Sequence, residues 1–165
     1  MLKSVSSQQA GRAAGHFAIV ASQYNGRYVD AMVRMAKRTL KAARAEGIEI
    51  VRVPGAYEIP VVAARLARRR APRLSAIVCL GVILRGATTH AQHIGEAVTQ
   101  ALTRIQIDCE IPVIHEVLLL ENEQQARERC LSQDHNRGIE AAQTALQMAR
   151  VMRGLERRRP AEHQD

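Results

Sequence analysis

The chain has 165 residues, a formal charge of +8 and very few aromatic residues, with no Trp, one Phe and three Tyr. This length suits a single domain with a substantial core, which Ala, Val, Ile and Leu must fill because aromatic side chains are scarce. The cysteines lack CxxC spacing, which argues against a disulfide framework and a zinc ribbon. The apolar runs are far shorter than the roughly 20 residues of a membrane span, which argues against a membrane protein. We therefore expect a soluble, cytoplasmic protein.

Strands and helices alternate along the chain. The apolar segment HFAIVAS, which ends at Ser22, predicts a first strand, and Asn25 and Gly26 interrupt the pattern before a long helix. That helix carries apolar side chains at helical spacing on one face, and Gly47 is expected to stop it. The rest of the sequence predicts strands at 48–53, 75–84 and 111–119 and helices at 58–70, 91–108, 123–129 and 138–155.

This order of elements predicts an α/β fold with one parallel sheet covered by helices on both faces, since parallel strands need crossover connections. We expect a single domain over residues 15–155. Residues 1–14 and the basic segment 156–165 are too polar or too charged to pack, and we expect both to be disordered tails.

Residues 81–96, GVILRGATTHAQHIGE, carry the strongest indication of chemistry. A buried strand runs into small and polar residues at its carboxyl end, the side of a parallel sheet at which ligands bind. Thr88 or Thr89 is expected to open the next helix, whose free backbone N–H groups suit a phosphate. His90 follows in the first turn, where an imidazole that titrates near neutral pH suits a general acid or base.

Two further residues are expected at the same edge of the sheet. Tyr24 follows the first strand, and its ring is either a plug over the core or a platform on which a flat heteroaromatic ligand stacks. Glu58 follows the turn VPGAY and begins a helix. Its carboxylate either compensates the helix dipole or accepts hydrogen bonds from a polyhydroxy ligand, and the sequence leaves both alternatives open.

The last third of the chain contributes two arginines and a carboxylate. Arg129 and Arg137 lie eight residues apart across a helix break, and their forked donors suit a phosphate, although ordinary surface charge is the alternative for either residue. Glu140 follows one turn into the last helix, where it either pairs with a cation or orients a histidine.

Three other interpretations are disfavoured. A zinc site built from His90, His93 and His115 lacks a visible acidic partner to orient its ligands, so we expect no metal. Cys79 lies in the middle of a strand and is expected to be a small buried hydrophobe, not a nucleophile. Nucleic-acid binding through the +8 charge is also disfavoured, because many basic residues occupy helix-surface positions without interleaved aromatic residues.

Four motifs occur in the order and at the spacing of one enzyme family. The motifs are VPGAYEIP at 53–60, LGVILRGATTH at 80–90, ENEQQARER at 121–129 and NRGIEAAQTALQMA at 136–149. Over residues 15–155 the chain therefore resembles lumazine synthase, the penultimate enzyme of riboflavin biosynthesis. The resemblance implies a three-layer flavodoxin-like fold with a four-stranded parallel sheet, and a homo-oligomer built of pentamers whose active sites are shared between neighbouring subunits.

The implied reaction joins two small-molecule substrates, 5-amino-6-(D-ribitylamino)uracil and 3,4-dihydroxy-2-butanone 4-phosphate. Its products are 6,7-dimethyl-8-ribityllumazine, phosphate and water, and the resemblance implies that it needs neither a cofactor nor a metal. A catalytically inactive member of the same fold, which forms a shell or holds a ligand, is the alternative function.

The resemblance also implies roles for individual residues. His90 matches the catalytic histidine, and Glu140 matches the acidic residue that assists it. Tyr24 stands where the family has an aromatic ring stacked on the pyrimidine. The remaining positions implied to bind substrate are Ala56 and Glu58 at the ring edge and ribityl chain, Ile83 and Leu84 along the pyrimidine, Ala87 and Thr88 at the phosphate, and Arg129, from the adjacent subunit, at the same phosphate.

The sequence departs from the family pattern at two places. His115 and Glu116 stand where the family usually has Phe-Gly in the fourth strand, and we expect His115 still to face the ring from the neighbouring subunit. Arg137 stands where the family often has Lys, which keeps the charge, so we expect Arg137 among the substrate-binding residues.

Overall fold

A computed structural model describes residues 15–157, which form a four-stranded parallel sheet in the order β2-β1-β3-β4 with helices on both faces. The strands are β1 His16–Ser22, β2 Gly47–Val53, β3 Leu74–Leu84 and β4 Val113–Leu120. The helices are α1 Gly26–Ala42, α2 Ile59–Ala67, α3 His90–Cys109, α4 Glu123–Cys130 and α5 Arg137–Glu156, and one 3₁₀ turn, Ala56–Glu58, precedes α2.

The predicted fold class is confirmed: the domain is a three-layer α/β structure of the flavodoxin-like type. The predicted tail at 1–14 and most of the tail at 156–165 lie outside the described residues. Glu156 is the last residue of α5, so this helix extends one residue past the domain boundary that the sequence suggested. None of the helices within residues 15–157 has the length and apolar character that a bilayer crossing requires.

The end of α1 differs from the prediction that Gly47 stops it. The helix ends at Ala42, and Arg44 adopts a left-handed conformation with φ of 58°. The amide of Ala45 then donates to the carbonyl of Leu40 over 3.1 Å, which closes the helix end without a glycine. Gly47 instead begins β2, where a side chain would collide with the ring of His16, 2.5 Å from the position of a Cβ.

Two apolar cores lie on opposite faces of the sheet. Alternate residues of each strand point to opposite faces, which explains why β1 and β3 are apolar throughout. On one face α1 and α5 pack against residues such as Phe17, Ile19 and Val78. On the other face α2 and α3 pack against Val20 and Ile77. Burial of each such side chain contributes about 1.5–3 kcal/mol.

A glycine sets the position of α5. A Cβ on Gly138 would lie 2.1 Å from the backbone oxygen of Met32, so the first turn of α5 approaches the backbone of α1 as closely as only glycine allows. Asn136 begins the helix, because its side-chain oxygen accepts from the amide of Gly138 over 2.9 Å. This close contact holds Arg137 and Glu140 over one face of β4.

The strand order places a switch point between β1 and β3. Because β2 lies on one side of β1, and β3 and β4 lie on the other, the connections from β1 and β3 leave the carboxyl edge in opposite directions. Asn25 spans this gap: its backbone is left-handed, with φ of 56°, and its amide group donates to the carbonyl of Val82 over 2.8 Å.

Candidate active site

The loops that follow the strands are joined along the carboxyl edge of the sheet. The amide of Gln23 donates to the carbonyl of Val53 over 2.8 Å, and the amide of Tyr24 donates to the carbonyl of Pro54 over 3.0 Å. These two bonds join the loop after β1 to the loop after β2. Across the sheet, the amide of Arg85 donates to Leu120 over 2.8 Å. We use the name rim for the residues at this edge that the sequence singled out: Tyr24, Ala56, Glu58, Ile83, Leu84, Ala87, Thr88 and His90.

Tyr24 and Glu58 meet at the end of β2. The ring of Tyr24 lies beside Gly55, where a Cβ would be 3.0 Å from the ring, and the residue is 68% exposed, so the ring is not a plug over the core. The amide of Gly55 donates to Oε2 of Glu58 over 2.8 Å. This bond holds the carboxylate beside the tyrosine ring and occupies one of its oxygens, while Ala56 is buried beneath the turn.

The strand β3 leads through an exposed bend into α3. Ile83 is buried and Leu84 is half-buried, whereas residues 85–90 are exposed. Thr89 caps α3 without a side-chain hydrogen bond, and Oγ1 of Thr88 accepts from the amide of His90 over 3.4 Å. The next amides of α3, those of residues 91 and 92, have no partner within their own helix and can donate to an anion beside the imidazole of His90.

His115 and Glu116 are neighbours on β4 but point to opposite faces of the sheet. Nδ1 of His115 accepts from the amide of Val117 over 3.2 Å, and Nε2 lies 2.8 Å from Oγ1 of Thr99 on α3. Since that hydroxyl donates to the carbonyl of Gly95, it accepts the Nε2 proton of a neutral His115. Burial lowers the pKa of His115 and so favours this neutral form, although a backbone hydrogen bond partly offsets the effect.

Glu116 lies on the other face, in a cluster with two residues of α5. Arg137 donates from Nε and Nη2 to the two oxygens of Glu116 over 3.0 and 2.8 Å, and from Nη1 to Oε2 of Glu140 over 2.6 Å. Burial raises the pKa of Glu116, an effect that the hydrogen bonds and charge of Arg137 oppose. Burial opposes the charged form of Arg137 as well, but its bonds to the carboxylates outweigh this and raise the pKa of Arg137.

Arg129 lies near the same cluster, on the exposed side of α4. Its positive charge acts on Glu116, and it makes no ion pair or hydrogen bond with another residue of the described range 15–157. We use the name arginine cluster for Glu116, Arg129, Arg137 and Glu140.

The rim and the arginine cluster are separate within one subunit. His90 begins α3, which packs on one face of the sheet, whereas α4 and α5 belong to the other face. No hydrogen bond or ion pair between residues 15–157 joins the two groups, so His90 and Glu140 are not in contact within the subunit.

Other residues with potential chemistry take no part in either group. Cys79 is fully buried, and this burial raises the pKa of its thiol well above the usual range, so it is not a nucleophile. His93 is exposed on α3. Between residues 15 and 157 no three His, Cys, Asp or Glu side chains are arranged as a metal site.

Some contacts at the edge of the sheet were missed from the sequence. The bond from Asn25 to Val82 and the ion pair between Arg85 and Glu121, with Nε 2.9 Å from a carboxylate oxygen, join residues 57 and 36 positions apart. The sequence had no signal for either pair. For Glu116 the signal was present, since a carboxylate in an apolar strand requires a cationic partner.

Comparison with known proteins finds one family. A family model described as 6,7-dimethyl-8-ribityllumazine synthase matches residues 14–153. The 6,7-dimethyl-8-ribityllumazine synthase of Mycobacterium avium (strain 104) is 42% identical over 142 residues, which are 85% of this chain and 86% of that protein. The protein of the same name from Stenotrophomonas maltophilia (strain R551-3) is 38% identical over 84% of this chain and 90% of its own length. That of Clostridium kluyveri (strain ATCC 8527 / DSM 555 / NBRC 12016 / NCIMB 10680 / K1) is 34% identical over 85% and 91%.

Proposed function

Because the chain belongs to the 6,7-dimethyl-8-ribityllumazine synthase family, we propose that it condenses 5-amino-6-(D-ribitylamino)uracil with 3,4-dihydroxy-2-butanone 4-phosphate in riboflavin biosynthesis. The products are 6,7-dimethyl-8-ribityllumazine, phosphate and water. The protein is thus a transferase that acts on small molecules. The family match over residues 14–153 is the observation that carries this conclusion, and it does not favour an inactive shell protein.

The rim supplies the groups that suit a ribitylated pyrimidine. The exposed ring of Tyr24 offers a stacking surface, and Glu58 beside it offers a carboxylate oxygen to the ribityl hydroxyls. Ala56, Ile83 and Leu84 form the wall along the ring in this proposal. In this proposal Glu58 has both of the roles that the sequence left open: Oε2 accepts from the turn before α2, and Oε1, which faces no hydrogen-bond donor among residues 15–157, accepts from the ribityl chain.

The start of α3 suits the phosphate and the proton transfers. Its free amides, with Ala87 and Thr88, form the anion site, and His90 stands beside them. The amine attacks the butanone carbonyl at C2, so protons must leave nitrogen and reach oxygen as water is lost and the Schiff base forms. A proton must then leave C3, so that phosphate can leave C4. One histidine beside the phosphate can serve several of these steps.

The arginine cluster supplies what the rim lacks. None of the eight residues of the rim is an arginine, whereas the side chain of Arg129 has no carboxylate partner within residues 15–157. Because the two groups are separated in one subunit, we propose that the rim of one subunit meets the cluster of the next, so that Arg129 and Glu140 arrive together. His115 is proposed to face the ring from the neighbouring subunit.

This arrangement requires an oligomer, and we propose a pentamer as its unit. Exposed apolar side chains such as Val61, Ile107 and Leu155 support burial against other copies. Sedimentation velocity or light scattering of the purified protein is expected to give a mass of five subunits or a multiple of five, and a monomer would contradict the shared site. We also propose a cytoplasmic location, which the three free thiols Cys79, Cys109 and Cys130 support.

The direct test is turnover with the two purified substrates, followed by the absorbance of the lumazine product. The proposed function predicts product and phosphate in equal amounts from the wild-type protein without added cofactor. A protein that binds the pyrimidine but forms no product, at saturating concentrations of both substrates, would support the inactive alternative and overturn this proposal.

A further inference from the structure

A carboxylate in the middle of β4 has no place in the reaction as proposed above. Glu116 is 7% exposed and lies between apolar neighbours of the strand. Moving a carboxylate out of water is costly, and an ion pair in such a place is often no more stabilising than apolar side chains of the same volume. Stability alone therefore gives a weak reason for Glu116.

The bonds of Glu116 restrict the guanidinium of Arg137. Its two oxygens take the Nε and Nη2 groups side by side, over 3.0 and 2.8 Å, which fixes the plane of the guanidinium. The third occupied nitrogen, Nη1, points to Oε2 of Glu140 at 2.6 Å. Arg137 thus bridges a buried carboxylate on β4 and a more exposed one on α5, whose side chains are 9% and 39% accessible.

The charges decide what this bridge can bind. Two carboxylates surround one guanidinium, so the three groups together carry one negative charge when all are ionised. A phosphate dianion gains little from an arginine that is already neutralised in this way. Arg129 lies close enough to act on Glu116 and has no carboxylate of its own among residues 15–157, so its charge remains available.

We propose that Glu116 is a positioning residue, which holds Arg137 so that this arginine fixes the carboxylate of Glu140 and does not itself bind the phosphate. The inference deepens the proposed function and rests on it, because it assigns Glu140 to the active site. It differs from the expectation, drawn from the resemblance, that Arg137 contacts a substrate.

The first measurement is steady-state kinetics of Glu116→Gln, which keeps the size of the side chain and removes the charge that holds Arg137. We expect kcat to fall about ten- to a hundredfold, since a misplaced catalytic group can cost that much. The KM for butanone phosphate is expected to stay within about twofold of the wild-type value. Arg129→Ala is expected to raise the KM for butanone phosphate about tenfold or more, because it removes a charged hydrogen bond to the phosphate.

A double-mutant cycle separates positioning from a general effect on the fold. If Glu116 acts through Glu140, then Glu116→Gln has no further effect on kcat in a Glu140→Gln background. Equal fold-changes in both backgrounds would mean that Glu116 acts independently of Glu140, and would overturn the proposal.

The matched control is Glu49→Gln. Glu49 lies on β2, the strand at the opposite edge of the sheet, and the substitution breaks its 2.7 Å ion pair with Arg69. It is expected to leave kcat and KM unchanged. If Glu116→Gln does not fold, Arg137→Lys is the second variant: an ammonium keeps the charge but cannot bridge both carboxylates in one plane. The same fall in kcat without a change in KM is expected.

The outcomes distinguish the two proposals. An active wild-type enzyme whose kcat is unchanged by both Glu116→Gln and Arg137→Lys overturns the positioning role and leaves the proposed function intact. A rise in the KM for butanone phosphate in Arg137→Lys would show that Arg137 binds the phosphate, which also overturns it. A wild-type protein without turnover overturns the proposed function itself.

Discussion

His90 is the only histidine of the rim, and its place at the first turn of α3 follows directly from the sequence. It is exposed at the start of a helix, where the proposed function places the phosphate and the proton carrier within one turn of each other. Its partners are less local. The arginine and the carboxylate that we propose to act with it, Arg129 and Glu140, belong to the arginine cluster, on the opposite face of the sheet.

His90→Ala is expected to lower kcat by about 10²- to 10⁴-fold and to leave measurable turnover, because positioning of two substrates supplies more of the rate than one acid-base group. Single-turnover kinetics at saturating substrate measure this directly. His93→Ala, an exposed histidine one turn further along α3, is the control and is expected to change the rate little. A wild-type rate in His90→Ala would remove the imidazole from the mechanism.

The titration of Glu116 is expected to affect stability with a defined sign. Burial raises its pKa above the ordinary value of 4.5, so the folded state binds a proton that the unfolded state has already released. The free energy of unfolding should therefore fall as the pH rises from about 4.5 through the raised pKa, and become constant above it. Arg137 and Arg129 limit this fall by favouring the carboxylate, while Glu140 adds to it.

Urea unfolding of the wild type and of Glu116→Gln across this pH range measures the effect as the difference between the two proteins. The wild type should lose stability relative to the variant as the pH rises. A difference that is constant with pH, or that changes in the opposite direction, contradicts the direction of the shift.

At the scale of elements, the boundaries that sequence patterns predict well are those with a local cause. β1 spans the predicted residues 16–22, and α3 begins within one residue of its predicted start, because apolar runs and the polar residues between them act within a few positions. The end of α1 was mispredicted because its cause is not visible in the local sequence pattern. Arg44 adopts a left-handed conformation despite its side chain, while Gly47 lies in β2, close to the ring of His16 on the neighbouring strand.

The contact between α5 and α1 gives a test at this scale. Gly138→Ala places a Cβ 2.1 Å from the backbone oxygen of Met32, and backbone cannot move aside as a side chain can. We expect a loss of about 1–3 kcal/mol or more in the free energy of unfolding, measured by urea denaturation.

Gly154→Ala in the same helix is the matched control. Nothing lies within 4 Å of the position of its Cβ, so alanine should stabilise by about 0.5–1 kcal/mol through helix propensity. Equal effects of the two substitutions would mean that α5 does not depend on the close approach at Gly138.

At the scale of the whole molecule, a site divided between subunits predicts complementation. One subunit with His90→Ala keeps its Arg129, and one with Arg129→Ala keeps its His90, so some interfaces in a mixed oligomer contain both intact residues. At a low concentration of butanone phosphate, co-expressed variants should exceed the sum of the separate proteins and reach about a quarter of wild-type activity for random mixing around a ring.

The control for complementation combines His90→Ala with Glu58→Ala. Both residues belong to the rim of one subunit, so every interface in their mixed oligomer keeps a defective rim and no gain is expected. A gain in this control, or none in the first mixture, would mean that the rim and the arginine cluster do not belong to two different subunits.

The sequence by itself determined the α/β class and predicted that Tyr24, Glu58 and His90 lie at the carboxyl edge of the sheet, because these follow from apolar periodicity and from polar residues at the ends of parallel strands. The other substrate-binding residues were predicted from the family resemblance and stay a prediction. Only the tertiary structure decided that His115 and Glu116 face opposite sides of the sheet and that Glu116 holds Arg137. The reason is that the pleat of β4 separates neighbouring side chains, while the packing of α5 on α1 brings together residues 21 positions apart.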